Sequence, residues 1–300
     1  MLIMDNRFQG LLAIHLAVLL FGVAGLFGKL LELGPGLIVF GRTLFAALGL
    51  LLVLPLLKID IRIRQGRDIG GFVLMGAILA LHWVTFFHAI QVSTVAIGLL
   101  TFSSFPIFVT FLEPLFFRER LRFFEVMVSL VVFLGLVLVV PEFDLANDLT
   151  RGAFWGMISG LTFALLSILN RKFVGRYPAL TVALYQDAVA CLLLLPFVGG
   201  AIFGITMAEL GQLVILGVVF TALAHTLFIQ GMLVVRAQLA SVITCLEPVY
   251  GILLALVLLH EIPSWRELVG GVVIIGTILL ATRFSRDSGR LVEPGCSPEG

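Results

Sequence analysis

The sequence predicts an all-α integral membrane protein of ten transmembrane helices, arranged as two inverted five-helix repeats around a central cavity. The first observation is composition: among 300 residues, 60% are hydrophobic and 12% charged, with a mean hydropathy of +1.17. That leaves too little polar surface to cover a water-soluble domain of this size. The second is a series of long apolar segments, and the third is a pattern that recurs at a fixed offset.

The apolar segments have the length that a bilayer requires. A hydrocarbon core of about 30 Å needs roughly 20 mostly apolar residues per helix. Ten segments meet this requirement between polar or Gly/Pro breaks: 10–31, 36–57, 69–90, 94–117, 123–140, 152–170, 178–199, 210–230, 238–259 and 267–283. Residues 284–300 are rich in Ser, Gly, Pro and mixed charges, and we expect a disordered cytoplasmic tail there.

The basic residues predict the orientation of the chain. With the N-terminus inside, fifteen of the 19 Lys and Arg residues fall on the cytoplasmic side and three on the other, Lys29, Arg151 and Arg266. Short basic loops are seldom translocated, so both termini should be cytoplasmic. A net charge of +1 provides no field that would attract nucleic acid. The expected surroundings are the lipid bilayer.

The two halves of the sequence align when one is shifted by a fixed offset, the separation between Gly10 and Gly152. This repeat offset also pairs Lys29 with Arg171, Pro106 with Pro248, Glu119 with Glu261, and Glu125 with Glu267. It predicts one repeat over 10–140 and a second over 152–283. Because each repeat holds an odd number of helices, the second enters the membrane inverted. Exchanging the conformations of two such halves opens a central cavity to alternate sides.

Several motifs carry a family resemblance over residues 10–283. They are the two prolines, the helix-end segments LFFRERL and LLHEIPS, and Leu246-Glu247-Pro248. In this order the sequence resembles the EamA-type drug/metabolite transporter superfamily. The resemblance implies a secondary transporter of the bacterial inner (plasma) membrane, commonly an exporter of amino acids and related metabolites. It also implies a cavity built from helices 1 to 4 and 6 to 9.

Two acidic residues near mid-depth are candidates for coupling transport to an ion. Asp187 and Glu247 lie far from either end of their segments. A carboxylate in a low-dielectric site resists ionisation unless it is paired, so it can load and release a proton during a transport cycle. Protons are therefore the candidate coupling ion. A structural role, in which either residue pairs with a basic side chain, is equally compatible with the sequence. We expect Arg42 to be a packed salt-bridge partner rather than a substrate anchor.

Pro106 and Pro248 occupy equivalent places in the two halves. A proline inside a helix removes a backbone hydrogen bond and weakens the helix locally. Static kinks would explain both, but their matching positions favour paired hinges or bends that face the cavity.

Polar and aromatic residues at helical spacing predict the cavity wall. The predicted substrate-binding residues are His82, Trp83, Phe86, Phe102, Phe163, His225 and Phe228. Their rings offer faces to an apolar side chain or a cation. Each is also compatible with simple packing or, for the phenylalanines, with a lipid-facing position.

Together these observations predict a carrier that exports small amphiphilic metabolites, above all amino acids, including those with aromatic or apolar side chains, by alternating access. The alternatives left open are a passive channel or facilitator, and a multidrug or nucleoside-type metabolite carrier. The sequence lacks a nucleophile motif and a metal-ligand spacing, so we expect no enzyme activity, no cofactor and no metal.

Overall fold

The computed structural model describes residues 7–117, 121, 123–140, 144–235, 240, 243–244 and 246–290. In this part of the chain every regular element is helical. The helices are α1 (Arg7–Leu30), α2 (Pro35–Leu56), α3 (Arg67–Val92), α4 (Val95–Phe102), α5 (Phe105–Phe117), α6 (Phe123–Val139), α7 (Asp148–Val174), α8 (Ala179–Val198), α9 (Met207–Gly217), α10 (Ala224–Gly231), α11 (Glu247–Leu258) and α12 (Trp265–Arg290). A short 3₁₀ helix (Gly199–Gly204) follows α8, and a π-helical turn (Val218–Leu223) joins α9 to α10.

Within the described residues, seven helical stretches are long and apolar enough to cross a membrane. They are Arg7–Leu30, Pro35–Leu56, Arg67–Val92, Val95–Phe116, Asp148–Val174, Ala179–Gly204 and Met207–Gly231. Shorter apolar helices lie at Val126–Val139 and Glu247–Leu258. The prediction of an all-helical membrane protein is therefore confirmed. The last helix runs to Arg290 and so extends into the segment predicted as a disordered tail; residues 291–300 lie outside the described part.

Both predicted hinge prolines lie beside a break in a helix. The helix ends at Phe102 and restarts at Phe105, so Pro106 occupies the first turn of α5. Pro248 likewise occupies the first turn of α11. The sequence predicted each proline inside a continuous helix, but in the structure each one lies in the first turn of a new helix. A first-turn position suits proline because the N–H that it lacks would have no partner there.

Glycines on α7 allow close helix packing. A methyl group at Gly160 would lie 2.8 Å from the carbonyl oxygen of Phe102, and one at Gly156 would meet the Thr101 side chain and the carbonyl of Gly98. Since interfaces between membrane helices depend on such close backbone approach, these glycines bring α7 against α3 and α4. This contact positions Phe102 and the polar face of α7.

The start of α4 is held by two acidic residues that the repeat pattern singled out. Glu261 Oε2 accepts a hydrogen bond from the backbone N–H of Val95 at 2.9 Å, and Glu267 Oε1 accepts one from Thr94 Oγ1 at 3.2 Å. Negative charge is favourable at a helix N-terminus. Of their counterparts at the offset, Glu119 and the side chain of Glu125 lie outside the described part of the chain.

The packing of α7 generates a test. We expect Gly160→Ala to lower the free energy of unfolding by about 1–3 kcal/mol, because backbone atoms of the neighbouring helix cannot easily make room. Gly211 is the matched control, since a methyl group there has no neighbour within 4 Å. Unfolding in detergent micelles measures both variants, and equal stability of the two would contradict this account of the interface.

Candidate functional site

A cavity opens between helices of both halves of the chain. All seven predicted substrate-binding residues line it: His82, Trp83, Phe86, Phe102, Phe163, His225 and Phe228. The remaining wall consists of Phe21, Ala24, Arg42, Leu79, Leu166, Asn170 and Glu247. The structure thus brings together residues from seven helices, α1, α2, α3, α4, α7, α10 and α11.

The aromatic rings form a continuous wall. The His82 ring centroid lies 5.5 Å from that of Phe102 and 5.2 Å from that of Phe163. Phe163 continues to Phe228 at 6.2 Å, and Phe228 to Phe21 at 5.8 Å. Such separations are typical of aromatic pairs in protein cores. The cavity therefore offers several ring faces to an occupant.

His82 is held by α7. Its Nδ1 lies 2.8 Å from Ser159 Oγ and 3.1 Å from the Ser159 carbonyl oxygen, while Ser159 Oγ donates to the carbonyl of His82 at 3.1 Å. Donation from Nδ1–H to the Ser159 carbonyl is consistent with this arrangement and leaves Nε2 without a partner among the described residues. On the opposite wall, the buried His225 Nδ1 has no hydrogen-bond partner there either.

Arg42 is buried on α2, where it makes one hydrogen bond and lies over two aromatic rings, with that of Phe87 at 5.3 Å from Cζ. Its Nε donates to Thr221 Oγ1 at 2.9 Å, and its Cζ lies 3.8 Å from the centroid of the Trp83 ring. Thr221 belongs to the π-helical turn and donates in turn to the carbonyl of Leu216 at 2.8 Å. Insertions of this kind are frequent at functional sites. Here the π-helical turn presents a hydroxyl oxygen to the guanidinium.

The two mid-depth carboxylates differ in their access to the cavity. Glu247, in the first turn of α11, lines it. Asp187, on α8, is fully buried, and neither of its carboxylate oxygens has a hydrogen-bond partner among the described residues. In the described part of the chain no ion pair within 4 Å joins Arg42 to either carboxylate, so the salt bridge expected for Arg42 is not formed there.

A polar contact extends from the cavity wall to α8. Gln186 Nε2 donates to Asn170 Oδ1 at 2.5 Å, and Asn170 lines the cavity.

Towards the predicted cytoplasmic side, Arg171 of α7 forms an ion pair with Glu113 of α5. Asp68 of α3 accepts a hydrogen bond from Tyr177 Oη at 2.8 Å. These contacts tie α7 to α5, and they tie the segment that follows α7 to α3.

Some residues of the cavity wall were not predicted, although the sequence carried a signal for them. The repeat offset relates Phe21 to Phe163, and it relates Ala24 to Leu166. Applying the offset to a predicted cavity residue would have found Phe21. Helical spacing would have found Leu79, which lies one turn before His82 and Trp83 on the same helix.

A multi-helix membrane protein with a central cavity lined by aromatic and charged residues has the architecture of a membrane transporter. The sequence profile of the EamA-like transporter family matches residues 8–140 and again residues 150–283. The chain therefore belongs to the EamA-like transporter family, as its motifs predicted.

Relatives along most of the chain are also transporters. The uncharacterized transporter YxxF of Bacillus subtilis is 24% identical over 270 residues, which cover 88% of this chain and 86% of that protein. An uncharacterized transporter of Archaeoglobus fulgidus is 28% identical over 90% of this chain and 95% of its own length. An S-adenosylmethionine uptake transporter of Rickettsia bellii is 25% identical over 69% of this chain and 70% of its own.

A solved crystal structure has the same fold. It superimposes with a TM-score of 0.70 at 21% identity, covering 96% of this chain and 100% of that chain. At this identity the likeness concerns the fold alone.

The burial of Arg42 generates a second test. We expect Arg42→Met to lower the free energy of unfolding by about 1–3 kcal/mol, because it removes the hydrogen bond to Thr221 and the contact of the guanidinium with the Trp83 ring. Arg151→Met is the matched control: Arg151 pairs with Asp148 on an exposed surface, where substitutions typically change stability by less than about 0.5 kcal/mol. Denaturant titration in micelles compares them, and an equally mild effect of both would refute the electrostatic role of Arg42.

Proposed function

We propose that the protein is a secondary carrier that exports small amphiphilic metabolites, above all amino acids, including those with aromatic or apolar side chains, by alternating access. The observation that carries the proposal is the composition of the cavity wall. Aromatic rings cover most of it, and the charged Arg42 and Glu247 lie on the same wall. An apolar group fits the rings, while a charged head group finds its partners at Arg42 and Glu247.

Arg42 retains hydrogen-bonding capacity for such a head group. A guanidinium has five N–H donors, and among the described residues Arg42 uses one, Nε, to Thr221. Its remaining donors are suited to a carboxylate or another acceptor of the substrate. Unpaired polar groups in a membrane protein normally face a pathway or a cavity, which agrees with this assignment.

Packing between helices supports the two inverted repeats. A methyl group at Gly152 would meet Ser93 and the carbonyl of Ala89, and one at Gly10 would meet Val235 and the carbonyl of Gly231. The repeat offset separates the members of all three pairs: Gly10 and Gly152, Ala89 and Gly231, and Ser93 and Val235. Helix pairs follow the same relation: α3 packs on α7 as α10 packs on α1. The two separate family matches, 8–140 and 150–283, agree with a duplication.

The proposed location is the bacterial inner membrane, with both termini in the cytoplasm. The support is the excess of Lys and Arg on one side of the predicted topology. Export is the proposed direction of transport. The opposite direction also occurs among the relatives, since one of them is named as an uptake transporter.

The name of that relative favours a second candidate. S-adenosylmethionine combines an amino acid with a nucleoside, so a nucleoside-type metabolite is an alternative substrate for this cavity. A passive channel is a third possibility that flux measurements distinguish, because a channel shows no saturable counterflow.

Reconstitution into liposomes tests the carrier. We expect saturable counterflow of labelled phenylalanine or leucine, and accumulation when a pH gradient is imposed. Neutralising the coupling carboxylate, by Glu247→Gln or Asp187→Asn, should abolish accumulation and spare exchange, because exchange needs no proton movement. Absence of uptake for every amino acid tested would remove the amino-acid assignment, and labelled nucleosides provide the comparison. Exchange that is insensitive to the gradient would remove proton coupling.

The proposed hinges have a separate test. Pro106→Ala and Pro248→Ala restore the backbone N–H and allow α5 and α11 to continue across the breaks. We expect both to slow maximal counterflow to similar extents, because the two breaks serve equivalent movements of the two halves. Pro196→Ala in α8 is the control, since that proline lies away from the cavity wall. Normal rates in both variants would exclude the hinge role.

A further inference from the structure

His82 combines apolar surroundings with one open hydrogen-bond acceptor, and this bears on which amino acids the cavity prefers. The inference rests on the proposed carrier function and concerns the same cavity. Four aromatic rings surround the imidazole, with centroids 5.2 to 6.4 Å from its own: Trp83, Phe86, Phe102 and Phe163. A group that approaches His82 therefore meets mainly aromatic faces and edges.

The contacts with α7 determine which ring nitrogen of His82 carries the proton. The Ser159 carbonyl oxygen lies 3.1 Å from His82 Nδ1, and Ser159 Oγ lies 3.1 Å from the His82 carbonyl oxygen. With the proton on Nδ1, the imidazole donates to the Ser159 carbonyl and the serine hydroxyl donates to the His82 carbonyl. With the proton on Nε2, the lone pair of Nδ1 would face the Ser159 carbonyl oxygen, and two acceptors would repel each other. The Nδ1–H form is therefore favoured, and it leaves Nε2 as an acceptor.

The Nε2 atom of His82 opens onto the cavity. His82 lines the cavity, and its Nε2 is not among the fully buried side-chain atoms that lack a partner. The hydrogen bonds of the imidazole to described residues all involve Nδ1. None of these partners is a carboxylate, so a neutral ring is favoured over a buried imidazolium. Nε2 is thus an acceptor that a molecule in the cavity can reach.

A single neutral acceptor among rings suits a neutral donor. An ammonium group brings three donors and a full charge, and a buried charge requires compensation that one imidazole nitrogen does not supply. A phenolic hydroxyl or an indole N–H brings one donor and no charge. The rings that carry such donors also pack favourably against other aromatic rings. His82 therefore matches an aromatic side chain with a donor at its far end.

The proposed partners of the head group lie on the same cavity wall. Arg42 Cζ lies 3.8 Å from the centroid of the Trp83 ring, and that ring lies 6.4 Å from the ring of His82. Trp83 thus adjoins both Arg42 and His82. An amino acid whose head group binds Arg42 and Glu247 has its side chain left to contact the rings around His82.

We propose that His82 is a specificity-determining residue, whose Nε2 accepts a hydrogen bond from the hydroxyl of tyrosine or the indole N–H of tryptophan. The carrier then prefers these two amino acids to phenylalanine and to aliphatic amino acids. Phenylalanine displaces water from the cavity and leaves Nε2 without a partner. A site that binds a hydroxyl of its substrate discriminates against the analogue that lacks it.

Three amino acids of one shape test this preference. L-tyrosine, L-phenylalanine and para-fluoro-L-phenylalanine have the same head group, and only tyrosine has a donor at the para position. Binding is measured to the full-length protein in lipid nanodiscs. We expect tyrosine to bind about threefold to tenfold more tightly than phenylalanine, as one hydrogen bond provides. The fluorinated compound should bind like phenylalanine, because its substituent donates no hydrogen bond.

Variants on α3 assign the preference to one imidazole. His82→Leu should remove the preference for tyrosine, and His82→Gln, which keeps an acceptor, should retain part of it. His88→Leu is the matched control. His88 lies on the same helix, and its ring packs 5.3 Å from that of Trp155, away from the cavity wall. This control should keep the full preference.

Nitrogen NMR of protein with isotopically labelled histidine reports the contact directly. The signals of His82 are identified by their loss in His82→Leu or, if that variant does not fold, in His82→Gln. We expect a protonated Nδ1 and an unprotonated Nε2, and we expect tyrosine to shift the Nε2 signal more than phenylalanine does. A proton on Nε2, or an Nε2 signal that tyrosine leaves unchanged, would overturn the proposed role of His82.

The outcomes distinguish this inference from the function on which it rests. Equal binding of tyrosine and phenylalanine, or a preference for tyrosine that survives His82→Leu, would overturn the inference and leave the carrier proposal in place. If none of the three amino acids binds, both proposals fail.

Discussion

The burial of the Arg42 guanidinium is the constraint on which the rest of the site depends. A guanidinium removed from water requires compensation inside the protein. It obtains this from the rings of Trp83 and Phe87 on α3 and from Thr221 in the π-helical turn. One side chain on α2 therefore interacts with groups from both halves of the chain. The position of the cavity between the halves follows from that convergence.

The apolar frame of the cavity and its charges follow different patterns. The repeat offset relates Phe21 to Phe163 and likewise Phe86 to Phe228, and all four line the cavity. The charged residues have no such counterparts. At the offset from Arg42 stands Leu184, and from Glu247 stands Phe105. If the two halves are repeats, the aromatic rings belong to the part of the cavity wall that both halves share. Each charged residue occurs in one half only, so the charged residues make the two sides of the cavity chemically different.

Sequence patterns predicted what depends on composition and period. Hydropathy predicted an all-helical membrane protein, and helical spacing identified seven residues that share one cavity wall, including His82 and Phe228. Features that depend on contacts between distant segments could not be predicted from these patterns. The π-helical turn accompanies a hydrogen bond between Thr221 and Arg42, which lie far apart in the sequence. The contrast between Asp187 and Glu247 is set by neighbouring helices that seal one carboxylate, and their sequence contexts give no indication of it.

The helix breaks connect occupancy of the cavity to movement. Phe102 lines the cavity at the last residue before one break, and Glu247 lines it at the first residue after the other. A negative charge at Glu247 is favourable at the start of α11, because it opposes the partial positive charge of the helix end. A cation or proton that neutralises Glu247 weakens this interaction at the residue where the helix begins. A change in the charge of Glu247 therefore alters the stability of a helix start that lies at the cavity wall, which is the kind of coupling that the proposed alternating access requires.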